Sequence, residues 1–204
     1  MPNFKRFAFG LVIVLAVMAP VDIFAQGCTV DGKYFKVTVH QGVDKPELLK
    51  KLHADYFLQM GAAFSADRSN NADIDRLLAR TLDAIYLDVS DILDIHMYDF
   101  SVDLEIFPDK GALANELQSY FGKRVDMPSY YFYDKNKIAI SCADMTLGML
   151  SHEIAHSIIS HYFVVQPSAK VQEVLAGYVE YSVRKSMKEL PDKNRKISLW
   201  NMHL

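Results

Sequence analysis

Apolar and polar positions recur along this chain with two periods, and each period predicts a type of secondary structure. Apolar residues at every second position predict strands, and apolar residues three or four positions apart predict helices with one buried face. The strand pattern occurs at residues 34–40, 102–106, 130–133 and 137–141. The helical pattern occurs at residues 46–60, 72–95, 110–120, 146–162 and 170–190.

The first two helical segments have clear apolar stripes, which predict the faces they bury. The stripes are Leu48, Leu49, Leu52, Tyr56 and Met60 in the first, and Ile74, Leu77, Leu78, Leu82, Ile85, Val89 and Ile92 in the second. A polar stretch at residues 65–71 predicts a loop between them, and Asp134-Lys135-Asn136 predicts the turn of a β-hairpin. Strands and helices alternate early and the C-terminal end is helical. The pattern therefore predicts an α+β fold, with a small mixed or antiparallel sheet packed on helices.

The N-terminal 25 residues have the pattern of a secretory signal peptide. Lys5 and Arg6 precede an apolar run at residues 7–19, and Pro20 and the small residue Ala25 follow it. The apolar run is short against the roughly 20 residues that span a bilayer, which favours cleavage near Ala25 over a retained anchor. Cys28 raises a lipoprotein alternative, but the preceding Ala25-Gln26-Gly27 matches a lipidation site poorly. We expect an extracytoplasmic protein, periplasmic or secreted, with no stable membrane span after cleavage.

Residues 26–204 contain no repeat, low-complexity tract or long linker, and their length suits a single domain. Of the 22 basic and 25 acidic residues in the whole chain, two basic and one acidic fall before residue 26. The remaining acidic excess gives no indication of a nucleic-acid partner, because such proteins normally carry a basic surface.

The two cysteines, Cys28 and Cys142, both lie after the predicted cleavage position. An even number of cysteines in an exported protein favours a disulfide, here between the N-terminal segment and the strand at residues 137–141. Two separate thiols are the alternative.

The strongest chemical motif is His152-Glu153-Ile154-Ala155-His156. Residues four apart lie on the same face of a helix, so both imidazoles can reach one metal ion. Neutral imidazole is a good zinc donor, and Glu153 is placed to take a proton from water at the metal. A catalytic zinc usually has three protein ligands, so a third must be found.

A third histidine of the metzincin type is absent, since Ile159 and Tyr162 occupy the positions where that pattern needs Gly and His. His161 misses the pattern by one residue and is interpreted as a polar residue at a helix C-terminus. Sixteen residues separate His156 from Glu173, which lies near the start of a second predicted helix that can return antiparallel to the first. Glu173 is therefore the candidate third ligand. The alternative is an ordinary surface glutamate in a first helical turn.

The pair His-Glu-Ile-Ala-His and Gln172-Glu173-Val174-Leu175-Ala176-Gly177-Tyr178 resembles the two motifs of gluzincin metallopeptidases. The resemblance is to peptidase-MA-like proteins and, more distantly, to aminopeptidase-N-like enzymes. Glu173, Ala176 and Tyr178 match the second motif, whereas Gln172 and Val174 replace its usual Asn and Gly. The resemblance implies a zincin-like fold, one Zn²⁺ per chain on His152, His156 and Glu173, and peptide hydrolysis. No Gly-x-Met-Glu-Asn segment occurs, which argues against aminopeptidase activity.

Other residues have candidate supporting roles. Glu180 lies seven residues after Glu173, so it can accept a hydrogen bond from a ligand imidazole or pair with Arg184. Asp144 precedes the first metal helix, where we expect it to be the N-cap. The candidate donors to a transition-state oxyanion are Tyr130, Tyr131, Tyr133 and Tyr178. The resemblance also implies that the strand Lys137–Ser141 holds an extended peptide by edge pairing.

The expected reaction is attack of a zinc-activated water on a peptide carbonyl, with Glu153 as general base. An exported module that keeps zinc only as a clasp or binding surface is the non-enzymatic alternative. A peptidase that acts only with a partner is the third, because the chain is small for a free-standing gluzincin.

Overall fold

The computed structural model describes residues 27–60 and 71–188, with side chains described except at 58–60 and 71. The predicted signal peptide and most of the predicted loop at 65–71 lie outside the described residues. Within them, no helix is both long enough and apolar enough to cross a bilayer.

Five strands form one mixed sheet among the described residues, and four of them lie in the segments whose alternation predicts strands. They are β1 (Cys28–Asp31), β2 (Phe35–Val39), β3 (Val102–Phe107), β4 (Ser129–Phe132) and β5 (Lys137–Ser141). Their spatial order is β1-β2-β3-β5-β4. The central pairs β2–β3 and β3–β5 are parallel, and the outer pairs β1–β2 and β4–β5 are antiparallel. β5 is therefore an interior strand and is buried along its whole length.

The described residues form six α-helices and a short 3-10 helix at Tyr133–Lys135. The α-helices are α1 (Lys45–Lys51), α2 (Ala54–Met60), α3 (Asn71–Leu93), α4 (Lys110–Phe121), α5 (Leu147–Tyr162) and α6 (Ala169–Ser186). One face of the sheet packs on α3 and α5 through the main core, which includes Leu82, Leu104, Ile140 and Ile154. The other face packs on α4 through a smaller core around Leu117 and Phe132. The α+β prediction is confirmed at this level.

The first helical segment differs from its prediction. His53 has a left-handed φ of 52°, which ends α1 and separates it from α2. Leu48, Leu49 and Leu52 are buried as predicted, but Tyr56 is exposed and Phe57 is buried in its place. The apolar spacing stays helical across the break, so it carries no signal of the interruption. The stripe of α3 is confirmed, and β1 is an additional strand that the pattern did not predict.

The two cysteines are free thiols, so the predicted disulfide is absent. Cys28 lies on β1 and Cys142 directly follows β5, with β2 and β3 between them. Three strand spacings place β1 and β5 about 14 Å apart. A disulfide needs Cα atoms within about 7 Å. The order of the strands, which the sequence does not reveal, is the physical reason for this correction.

Candidate metal and catalytic site

The His-Glu-x-x-His segment lies in the middle of α5, on the helix face that looks towards α6. Thr146 caps the helix, accepting a hydrogen bond from the Met149 amide at 3.1 Å. The N-cap prediction for Asp144 is therefore wrong. Asp144 lies two residues too early and instead accepts a hydrogen bond from Ser141 Oγ at 2.8 Å.

The helical spacing brings the imidazoles of His152 and His156 together as predicted. Their Nε2 atoms are 3.2 Å apart, and both side chains are largely buried. A neutral imidazole with its proton on Nδ1 has a lone pair on Nε2, so two Nε2 atoms this close could both bind one metal ion.

Glu173, in the second turn of α6, completes a three-residue cluster with the two histidines. Its carboxylate oxygens lie 3.5 Å from His152 Nε2 and 3.4 Å from His156 Nε2. The three donor atoms are all within 4.8 Å of one another, a group that could hold a metal ion. Glu173 on α6 therefore lies close to both histidines on α5, as a shared metal site would require.

The turn between α5 and α6 is held by glutamine side chains. Gln166 Nε2 donates to the carbonyls of Ser160 and Phe163, each at 2.7 Å. Gln172 Nε2 donates to the Pro167 carbonyl at 2.9 Å. These bonds tie the end of α5 to the start of α6, which sets where Glu173 enters the cluster. Gln172, which replaces the Asn of the resembled motif, thereby acts on the backbone of the turn.

Glu180 lies between His152 and Arg184, the two residues that the sequence suggests as its partners. Its Oε2 is 3.5 Å from His152 Nδ1, and its Oε1 is 3.4 Å from Arg184 Nη1. The contact to Nδ1 is longer than a hydrogen bond, so this buried nitrogen has no hydrogen-bond partner among the described residues. Glu180 and Arg184 approach α5 closely because residue 148 is glycine: a Cβ there would lie 2.8 Å from Arg184 Cγ and 3.2 Å from Glu180 Cγ.

The carboxylates and imidazoles shift one another's protonation equilibria. Burial lowers the pKa of His152, but Glu180, Glu153 and Glu173 together raise it above its usual value. The contact with His156 lowers the pKa of Glu173, and the contact with His152 lowers that of Glu180, in each case against the opposing effect of burial. Without a metal ion the cluster therefore favours ionised carboxylates facing His152.

Glu153, the proposed base, is buried beside the histidines and is only 9% exposed. Its Oε1 accepts a 2.6 Å hydrogen bond from Ser129 Oγ, the first residue of β4. Sequence reasoning missed Ser129, because 24 residues separate it from Glu153 and no spacing rule connects a strand end with a helix face. A buried carboxylate held in this way can accept a proton from a neighbouring water.

Both histidines, Glu153 and Glu173 line a cleft of about 500 Å³ whose opposite wall comes largely from β4 and the residues around it. Of the four candidate tyrosines, Tyr130, Tyr131 and Tyr133 line this cleft. Tyr178 is not among its described lining residues, since it lies on a different face of α6 from Glu173. The ring of Tyr130 packs on Phe121 and Phe132 towards α4.

Tyr131 lies on the opposite face of β4 from Tyr130, and its hydroxyl faces the end of α5. That hydroxyl lies 3.3 Å from His161 Nδ1, and burial raises the pKa of Tyr131 well above its usual range. His161 Nδ1 is also 2.9 Å from the carbonyl of Ser157. His161 is thus a helix-end residue, outside the His152, His156 and Glu173 cluster.

The edge-pairing prediction named the wrong strand. Lys137–Ser141 is β5, which already pairs with β3 on one side and β4 on the other. Among the described residues, β4 is the outer strand beside the cleft, and no further strand pairs with its outer edge. The sequence identified the hairpin but not which of its strands lies outermost.

Comparisons with protein-family models, with curated proteins and with solved structures give no match for this chain.

Proposed function

We propose that this chain is an exported, zinc-dependent metallopeptidase of the gluzincin type with a zincin-like fold. His152, His156 and Glu173 would hold the zinc ion, and Glu153 would act as general base. The observation that carries the proposal is the convergence of three donor atoms from two helices.

The separation of the two imidazole nitrogens suits tetrahedral zinc. Zn–N and Zn–O bonds of about 2.0–2.1 Å at tetrahedral angles place neighbouring ligand atoms about 3.3 Å apart. The two Nε2 atoms are 3.2 Å apart, and Glu173 presents a different oxygen to each of them, Oε2 at 3.5 Å from His152 and Oε1 at 3.4 Å from His156. Three protein ligands leave one position open, which is typical of catalytic rather than structural zinc. Zinc bound there would supply Lewis-acid activation of a water and of the peptide carbonyl.

The other residues of the cleft suit peptide hydrolysis. Glu153 would take the proton of the attacking water and pass it to the leaving amine. The open edge of β4 would hold the substrate backbone as an added antiparallel or parallel strand. Tyr131 and Tyr133 are the cleft tyrosines left to stabilise the developing oxyanion, since Tyr130 is turned towards α4.

Zinc stoichiometry and peptide-library cleavage, measured for residues 26–204 and for Glu153→Gln, test the proposal. We expect one zinc per chain in both proteins and cleavage by the parent protein alone. Tyr131→Phe and Tyr133→Phe, measured in parallel, would identify the oxyanion donor as the variant with the larger fall in kcat.

Zinc in both proteins with cleavage by neither would contradict peptidase activity. That outcome would favour the non-catalytic zinc module or the partner-dependent peptidase.

A further inference from the structure

The hydrogen bond between Ser129 and Glu153 joins the edge strand to the proposed base. Ser129 is 7% exposed and Glu153 is 9% exposed, and the bond from Ser129 Oγ to Glu153 Oε1 is 2.6 Å long. A short bond from a hydroxyl to a carboxylate is charge-assisted and stronger than a bond between neutral groups. Among the described residues, no hydrogen bond is recorded for the second oxygen, Oε2, although Glu153 lines the cleft.

The main chain of Ser129 lies on the open side of β4. Ser129 pairs with Ile140 of β5, and the neighbouring Pro128 carbonyl accepts a 2.8 Å bond from the Ser141 amide. In an antiparallel pair, hydrogen-bonded and non-hydrogen-bonded residue pairs alternate. Pro128–Ser141 is hydrogen-bonded, so Ser129–Ile140 is the non-bonded pair. The Ser129 N–H and C=O therefore point away from β5, towards the free edge.

We propose that Ser129 is a positioning residue that fixes the general base relative to the substrate strand, an inference that rests on the proposed function. Its hydroxyl anchors Glu153 through Oε1, which leaves Oε2 to receive and return the proton. Its main chain belongs to the edge on which the peptide backbone would pair. One residue thus sets both the orientation of the base and the register between base and scissile bond.

This role differs from that of an ordinary buried serine. Ser157, also buried on α5, donates its hydroxyl at 2.8 Å to the Ile154 carbonyl of its own helix, and among the described residues that hydroxyl is hydrogen-bonded neither to Glu153 nor to β4. Removing either hydroxyl deletes one buried hydrogen bond. Only the loss of Ser129 would free the Glu153 carboxylate to rotate, so Ser157→Ala is the matched control.

The test compares Ser129→Ala, Ser129→Thr and Ser157→Ala in the zinc-loaded protein. We expect Ser129→Ala to lower kcat about tenfold, the size of a lost hydrogen bond to a charged group. KM should stay within about twofold, because the main chain of β4 is retained. Ser129→Thr, which keeps the hydroxyl, should recover most of kcat, and Ser157→Ala should change it little. An unchanged kcat in Ser129→Ala, or equal falls in Ser129→Ala and Ser157→Ala, would overturn the proposal.

A spectroscopic measurement separates this proposal from the proposed function. The infrared difference between the protein and Glu153→Gln isolates the Glu153 carboxylate stretch, and the same difference is measured in the Ser129→Ala background. A band that shifts when Ser129 is replaced supports the anchoring bond even if no peptide is cleaved. Coincident bands in the two backgrounds would overturn the anchoring role even if the protein proves to be a peptidase.

Discussion

The helices α5 and α6 contribute to the candidate site in unequal ways. α5 is buried along most of its length, and the side chains of its two histidines are 22% and 14% exposed. α6 buries only Ala176, Val179 and Val183, and the Glu173 side chain is 61% exposed. The first helix is part of the core, whereas the second covers it from one side.

This difference in burial matters because the two histidine donors depend on one helix, whereas the Glu173 donor depends on how two helices pack. The separation of His152 and His156 follows from four residues of one helix, so it holds wherever α5 is intact. The position of Glu173 depends on the packing of α6 against α5 and on the turn between them. Changes in the core should therefore affect the whole fold, while changes at the α5–α6 contact should affect the third donor first.

The largest expected effect is on stability, and it contrasts the two helices directly. Ile154 on α5 is 0% exposed, whereas Val174 on α6 is 65% exposed. Ile154→Ala should lower the free energy of unfolding by about 2–5 kcal/mol, through lost apolar burial and a cavity. Val174→Ala should change it by less than about 0.5 kcal/mol. Urea denaturation of both variants measures the difference. Similar losses in the free energy of unfolding would contradict the view that α5 is part of the core and α6 is not.

Removal of single donors should separate the two helices in metal binding. We expect His156→Ala to weaken zinc affinity more than a hundredfold, since even loss of an outer-shell partner lowers affinity about 10–100-fold. Glu173→Ala should also weaken binding, but less, because two imidazoles remain on one rigid helix. Competition titration with a zinc chelator measures both. Undiminished affinity in Glu173→Ala would remove Glu173 from the ligand set.

A methyl group at the helix contact tests the dependence of Glu173 and Glu180 on packing. In Gly148→Ala the new Cβ would lie 2.8 Å from Arg184 Cγ and 2.9 Å from Arg184 Cδ. The crowding should lower stability by about 1–3 kcal/mol and weaken zinc binding. Adding Arg184→Ala should restore part of both, as measured by thermal unfolding with and without zinc. No restoration would mean that the clash lies elsewhere.

The smallest expected effect concerns Glu180, which faces His152 Nδ1 without supplying a donor to the cluster. Glu180→Gln keeps the shape of the side chain but removes the negative charge 3.5 Å from His152 Nδ1. We expect about tenfold weaker zinc binding, at the lower end for outer-shell partners. Arg184→Gln is the control, since it removes the neighbouring ion pair but leaves the carboxylate. An effect of Arg184→Gln as large as that of Glu180→Gln would assign the loss to the ion pair.

The parts of the site that could be predicted from the sequence are those set by helical spacing or by a short sequence motif. The His152–His156 pair follows from helical spacing, and Glu173 from a second motif. Ser129 could not be predicted, because its contact with Glu153 depends on where β4 meets α5. Strand order caused the other failures: it separates Cys28 from Cys142 and places β5 inside the sheet. Glu180 could be assigned two partners, and its position between His152 and Arg184 brings it within 3.5 Å of both.

We propose that two helices of unequal burial supply one zinc ion with two imidazoles and one carboxylate. X-ray absorption at the zinc edge, recorded on protein carrying one zinc per chain, tests it most directly. We expect two imidazole ligands with the remaining ligands oxygen, and loss of one imidazole in His156→Ala. A spectrum with sulfur ligands, or one unchanged in His156→Ala, would contradict it.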